Sequence, residues 1–214
     1  MQAAPPSDLE LAALISSKIC HDVVGPVGAI YNGIEILDEG GDAEAKAYAM
    51  TVIRNVTEQA SAKLQFARFA FGAAGSAGAL IDLATAEQIS RGFVGNNKHR
   101  LYWSGLQGYM AKDRVKLLLN LVANAVAALP RGGDITVSMA GAPENPEFLL
   151  RCHGTGARPP AYLTEMIVGG GQANAPVDVL TIQAYYTWRL ANATQTRLEI
   201  LKDGDDILLS AKPV

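Results

Sequence analysis

Cysteine is scarce: Cys20 and Cys152 are the only two in 214 residues, so no disulfide framework holds the fold. The histidines are His21, His99 and His153, too scattered among those cysteines for a metal-ligand cluster. No Lys/Arg cluster occurs and the formal net charge is −3, which argues against nucleic acid as a partner. The first eight residues hold no basic segment followed by an apolar one, so no secretion signal is expected. The most apolar stretch, residues 115–129, is too short to span a membrane and carries Asn120 and Asn124. No internal repeat is visible. With 49% apolar and 18% charged residues, the chain has the composition of an ordinary globular protein, expected to be soluble and cytoplasmic.

Residues 16–32, SSKICHDVVGPVGAIYN, organise the rest. Leu11, Ile15, Ile19, Val23, Val27, Ile30, Ile34 and Leu37 recur three or four residues apart, one stripe at about 100° per residue. His21 falls opposite that stripe, with Ser17, Lys18, Gly25, Gly28 and Asn32 on the same polar face. Gly25 and Gly28 each cost a helix roughly 1 kcal/mol relative to alanine. Pro26 deletes the main-chain bond to the carbonyl of Asp22 and bends the helix one turn past His21. A helix that must offer a bare imidazole to another protein has a use for these residues, because glycines leave the approach open. Periodicity alone fits an ordinary exposed histidine on a poorly formed helix equally well.

The pattern predicts a first helix from a cap at Ser7 or Asp8 to about Leu37, a Gly40-Gly41 turn, and a second helix over 43–71. The second carries a stripe of Ala49, Ile53, Val56, Ala60, Leu64, Ala67 and Phe71, widened by Phe66 and Phe69. Such a hairpin has more apolar face than one partner helix covers. Pairing two hairpins into a four-helix bundle, as a homodimer, would cover it; packing on the rest of the same chain is the alternative. Residues 72–78, small and without period, read as a linker. That divides the chain into a hairpin domain, 1–74, and a second domain, 79–214. Strands are expected at 79–83, 99–104, 134–140, 148–152, 196–202 and 207–212, and helices at 85–93 (capped by Thr85), 111–129, 161–168 and 177–192. The fold class is α+β, with helices on one face of a mixed or antiparallel sheet.

Two segments then resemble a known family. His21-Asp22-Val23-Val24-Gly25-Pro26 is similar to the phosphoacceptor box of dimeric sensor histidine kinases. Asn120-Leu121-Val122-Ala123-Asn124-Ala125 is similar to the asparagine box of their ATP-binding domain. Hairpin, linker and α/β sandwich follow in the kinase order. The departures lie in the second domain. Cys152-His153-Gly154-Thr155-Gly156 stands where kinases carry Asp-x-Gly-x-Gly, and a neutral thiol cannot accept the adenine amino hydrogen bond as a carboxylate does. After Gly169-Gly170-Gly171 no phosphate-lid glycine pattern follows. A kinase layout with an intact histidine box and a degenerate ATPase-like sandwich resembles the ChpT-type histidine phosphotransferases of alphaproteobacterial phosphorelays.

That resemblance implies a shuttle. His21 would accept a phosphoryl group from the receiver domain of a hybrid histidine kinase and pass it to response-regulator receiver domains, which in that family's relay control the cell cycle. Asp22 would hold the proton of the other ring nitrogen. Lys18, Gly25, Gly28 and Asn32 would form the partner-binding face, with Lys18 either steadying phosphoryl oxygens or simply solvated. Gly25, at a position where phosphatase-active kinases carry a water-positioning residue, implies little phosphatase activity. Asn120, Asn124, Gly154 and Gly156 would be relics that bind no nucleotide. No cofactor is implied, the Mg²⁺ coming from the partner receiver. His99 and His153 read as a surface and a structural residue, and Cys20 as packing. An ATP-dependent histidine kinase and a non-catalytic dimeric scaffold for receiver domains are the other readings.

Overall fold

A computed structural model describes residues 4–40, 42–72, 78–95 and 98–214. Helix α1, Asp8–Asp38, opens on a capping box: Ser7 Oγ accepts from the Glu10 amide, and the Glu10 carboxylate accepts from the Ser7 amide at 2.8 Å. Helix α2, Ala43–Ala70, is capped by Asp42, whose Oδ1 accepts from the Ala45 amide at 2.8 Å. The two helices cross closely at Gly33, the one fully buried residue of α1. A Cβ there would lie 2.7 Å from the Ile53 side chain.

The hairpin leaves apolar surface bare. Val24, Val27, Tyr31, Ile34 and Ile36 of α1 are exposed, as are Tyr48, Met50 and Leu64 of α2. Val27, Ile34 and Leu64 belong to the stripes expected to be covered. They face outward because a two-helix contact hides only a narrow seam of each partner.

The remaining elements are β1 (Leu80–Asp82), α3 (Leu83–Val94), β2 (His99–Ser104), β3 (Tyr109–Ala111), α4 (Lys112–Ala128), β4 (Gly133–Ala142), β5 (Asn145–His153), α5 (Ala161–Val168), α6 (Ile182–Ala193), β6 (Thr196–Asp203) and β7 (Asp206–Pro213). A five-stranded sheet runs β2-β4-β5-β7-β6, parallel only between β2 and β4. β1 and β3 form a separate antiparallel pair. Alternation along β5 buries Phe148, Leu150 and Cys152 against the helices. Helix α4 is buried almost all round from Val115 to Ala125, so it is the centre of the core.

Three expectations shift. β3 was not foreseen. Helix α3 starts two residues before the expected one, because Asp82 rather than Thr85 caps it, accepting from the Ala84 amide at 3.0 Å. Helix α6 starts at Ile182 rather than at residue 177, because Asp178 draws the preceding amides into a turn. Its Oδ1 accepts from the Leu180 and Thr181 amides and the Thr181 hydroxyl at 2.8–2.9 Å, which also holds its carboxyl below the usual range. The centre of the expected linker, residues 73–77, lies outside the described residues.

The base of the hairpin packs on the sandwich. Phe66 stacks on Phe93 with ring centroids 3.8 Å apart, and Phe66 and Ala70 lie in the same core as the sheet. Leu11, Leu14 and Ile15 of α1 pack on a smaller cluster of Met166, Ala173, Ile182 and Tyr185. Gly33→Leu forces the α1–α2 seam apart and is expected to cost about 1–3 kcal/mol, read as a lowered thermal midpoint by circular dichroism.

Candidate functional site

His21 lies near the middle of α1 with its side chain 62% exposed. Its Nδ1 is 3.4 Å from Asp22 Oδ1, a long contact at the limit of a hydrogen bond. An adjacent residue on a helix does not naturally face its neighbour, so only a bent rotamer makes this approach. With Nδ1 turned to the acid, Nε2 is the ring nitrogen left for chemistry. Asp22 is held more tightly from behind: Lys18 Nζ lies 2.6 Å from Oδ1 and 2.5 Å from Oδ2. Lys18 is therefore turned onto Asp22 rather than extended toward an incoming group. A contact missed in the sequence comes from α2, where Lys63 Nζ donates to the Asp22 main-chain carbonyl at 3.2 Å.

Around His21 the surface is open. A Cβ at Gly25 or Gly28 would meet nothing within 4 Å. Asn32 is also exposed, about 16 Å further along the helix axis at 1.5 Å per residue. Cys20, expected to pack, is exposed instead, and Val24 and Tyr31 add exposed apolar surface to the same helix.

The second domain holds its asparagines differently. Asn120 Nδ2 donates to the carbonyls of Ala70 and Lys116 at 3.0 and 2.8 Å, and its Oδ1 accepts from Gln183 at 2.5 Å. Asn124 Nδ2 donates to the Asn120 carbonyl and to Thr187 Oγ1, both at 2.8 Å. Both residues are buried. Gln183 and Thr187, one turn apart on α6, thus close the face of α4 that carries the asparagine box; nothing in the sequence had marked them. Cys152 is fully buried, and burial pushes its thiol up to about 12. Gly154 serves a close approach of main chains, since a Cβ there would lie 2.5 Å from the Gly132 carbonyl. Gly156 has a positive φ of 75° that favours glycine.

The segment after Gly169 folds onto α6. Gly171 lies flat against Trp188, where a Cβ would be 2.1 Å from the indole, and Tyr162 Oη donates to the Ala175 carbonyl at 3.1 Å. His153 sits at the end of β5 with Nδ1 2.6 Å from Asp206, which Arg151 also contacts at 2.6 Å. His99, expected at the surface, is half-buried with Nε2 2.9 Å from the Leu129 carbonyl, because β2 runs beside the end of α4. Among the described residues, no group of three or more His, Cys, Asp or Glu is placed to hold a metal ion, and no helix is long and apolar enough to cross a membrane.

A helical hairpin presenting a histidine beside an acid, docked on a mixed sheet with helices on one face, is the layout of the phosphotransfer and ATPase-like halves of histidine kinases. Histidine kinase ThkA, solved in complex with response regulator protein TrrA, shares this fold with a TM-score of 0.51 and 12% identity, over 96% of this chain and 62% of that one. A far nearer likeness is a bacterial phosphotransferase solved at 1.7 Å, with a TM-score of 0.89 and 38% identity over 99% of this chain and 100% of that one. Protein phosphotransferase ChpT of Brucella abortus (strain 2308) is 41% identical over 206 residues, 96% of this chain and 97% of the relative. The family described as histidine phosphotransferase C-terminal domain matches residues 83–206. The chain belongs to the histidine phosphotransferase family.

Two measurements check this geometry. Native protein should take one equivalent of a thiol reagent near pH 8, at Cys20, and a second, at Cys152, only in denaturant, as read by mass spectrometry. The Asp206 carboxylate raises His153 above its ordinary 6.5. His153 and Arg151 lower Asp206 below its ordinary 3.8. Stabilisation from the histidine is complete below the imidazole's ordinary value and lost as pH rises through its raised one. That from the aspartate is complete above the carboxylate's ordinary value and lost as pH falls through its lowered one. The pair is thus strongest between about pH 4 and 6.5. An NMR titration of His153 should show the raised midpoint, and Asp206→Asn should return it toward the ordinary value.

Proposed function

We propose that this phosphotransferase is a phosphoryl shuttle of a two-component phosphorelay that uses no ATP. The lone pair of His21 Nε2 attacks the phosphorus of an aspartyl phosphate on the receiver domain of a hybrid kinase. The P–N bond forms, the P–O bond breaks, and its electrons return to the receiver carboxylate. The same step in reverse delivers the group to the aspartate of a response-regulator receiver. Asp22 keeps the proton on Nδ1, so the reacting nitrogen bears the free pair. The receiver supplies the Mg²⁺ that neutralises the transferring oxygens.

One observation carries the reading: the imidazole stands outward on an open helix face while the amides of Asn120 and Asn124 are spent on Ala70, Lys116, the Asn120 carbonyl and Thr187. A nucleotide would have to break those buried bonds before gaining its own. The open space at Gly25 and Gly28 supports docking of a receiver along α1 as far as Asn32. The exposed band of Val24, Val27, Tyr31, Ile34, Tyr48 and Met50 supports a two-fold dimer of hairpins. The cytoplasm, where receiver-bearing regulators of transcription and the cell cycle work, is the corresponding location.

A receiver domain charged from radiolabelled acetyl phosphate is expected to label the wild-type chain and leave His21→Ala unlabelled. Labelled ATP without a partner should label neither, and label on His21 from ATP alone would overturn the reading. Gly25→Leu and Gly28→Leu are expected to fold and to slow transfer about tenfold, equivalent to about 1.4 kcal/mol of lost docking. Wild-type rates in both would remove the open docking face.

A further inference from the structure

Pro26 has no N–H to give the Asp22 carbonyl, which in an unbroken helix would receive one. That carbonyl belongs to the residue whose side chain meets the His21 ring. Into the gap comes Lys63 of α2, from 41 residues away, with Nζ at 3.2 Å. The residue is half-buried. Ordering a lysine side chain in this way costs rotamer freedom. A solvated surface lysine pays no such cost.

The geometry points to Lys63 as a positioning residue for transfer at His21, an inference that rests on the phosphoryl-shuttle reading above. Its ammonium replaces the main-chain bond that the proline removes and so holds the His21–Asp22 turn in its working geometry. Three groups converge on Asp22. Lys18 grips the carboxylate, His21 Nδ1 meets Oδ1, and Lys63 fixes the carbonyl. The imidazole contact, at 3.4 Å, is the weakest of the three and the first to fail if the turn rotates. A proline kink lets the preceding turn open, and Lys63 closes it from the neighbouring helix. The helix therefore keeps its proline and its open face without losing the orientation of the ring.

Lys63→Met keeps the stem and deletes the donor, Lys63→Arg keeps a donor, and Pro26→Ala returns a main-chain N–H to the carbonyl. With saturating receiver domain charged from radiolabelled acetyl phosphate, Lys63→Met should lower the single-turnover rate onto His21 about tenfold. The receiver concentration for half-saturation should stay near its wild-type value. Lys63→Arg should retain most of the rate. In a Pro26→Ala background, Lys63→Met should have little further effect. Nitrogen-detected NMR of the His21 ring should show the Nδ1–H tautomer depleted in Lys63→Met and recovered in the double variant. Where Lys63→Met fails to fold, Lys63→Gln, whose amide falls short of the carbonyl, takes its place. A wild-type rate in a less stable Lys63→Met protein would reduce the lysine to a structural bond. An undiminished loss in the Pro26→Ala background would mean that it acts on the phosphoryl group or the receiver instead. Either result overturns the inference, and transfer to wild-type but not to His21→Ala protein in the same assay leaves the shuttle reading standing.

Discussion

Asn120 carries an amide to a place that water does not reach, and every bond it makes ties down a different part of the molecule. Its nitrogen bonds the last turn of α2 and its own helix, and its oxygen bonds α6. Leaving one of these groups unpaired would cost about 1–3 kcal/mol. The end of the hairpin, the central helix and α6 are thereby held in one register. Asn124 repeats the link to α6 through Thr187. The position of His21 relative to the sandwich follows from that register, reinforced by the Phe66–Phe93 stack and by the seat of Leu11, Leu14 and Ile15 on the Tyr185 cluster.

The same bonds account for how a kinase layout persists around altered chemistry. A helix carrying two buried asparagines needs polar partners whatever the protein does. Here the neighbouring helix supplies them, through Gln183 and Thr187. The segment beyond Gly169 finds a similar second use. In place of a lid it lies on Trp188, where only glycine at position 171 allows the backbone so close to the indole.

Helix α1 shows the opposite balance. Its sequence weakens it locally: two glycines at roughly 1 kcal/mol each, and a proline at about 3 kcal/mol, stand within eight residues of His21. What restores order comes from side chains, Lys18 along the helix and Lys63 across it. A lysine placed before its acid on a helix is the weaker order for an i,i+4 pair, and here the lysine also holds the carboxylate that meets the imidazole.

Much of this was legible in the chain itself. β2 at residues 99–104 and α5 at residues 161–168 follow their expected bounds, since each rests on a local pattern bounded by turn residues. The outward histidine followed from a period of three to four, which depends only on neighbours along one helix. β3 is too short for any period, and the competing caps of α3 and α6 look alike in sequence. Lys63, Gln183 and the carbonyl of Ala70 were out of reach for a stronger reason. Their partners lie 41, 63 and 50 residues away, and only the packed chain brings them together. Local spacing by itself determined every element but β3 and which face carries the imidazole. The tertiary structure decided which hydrogen-bonding groups are spent, because a buried polar group takes whatever partner the fold delivers.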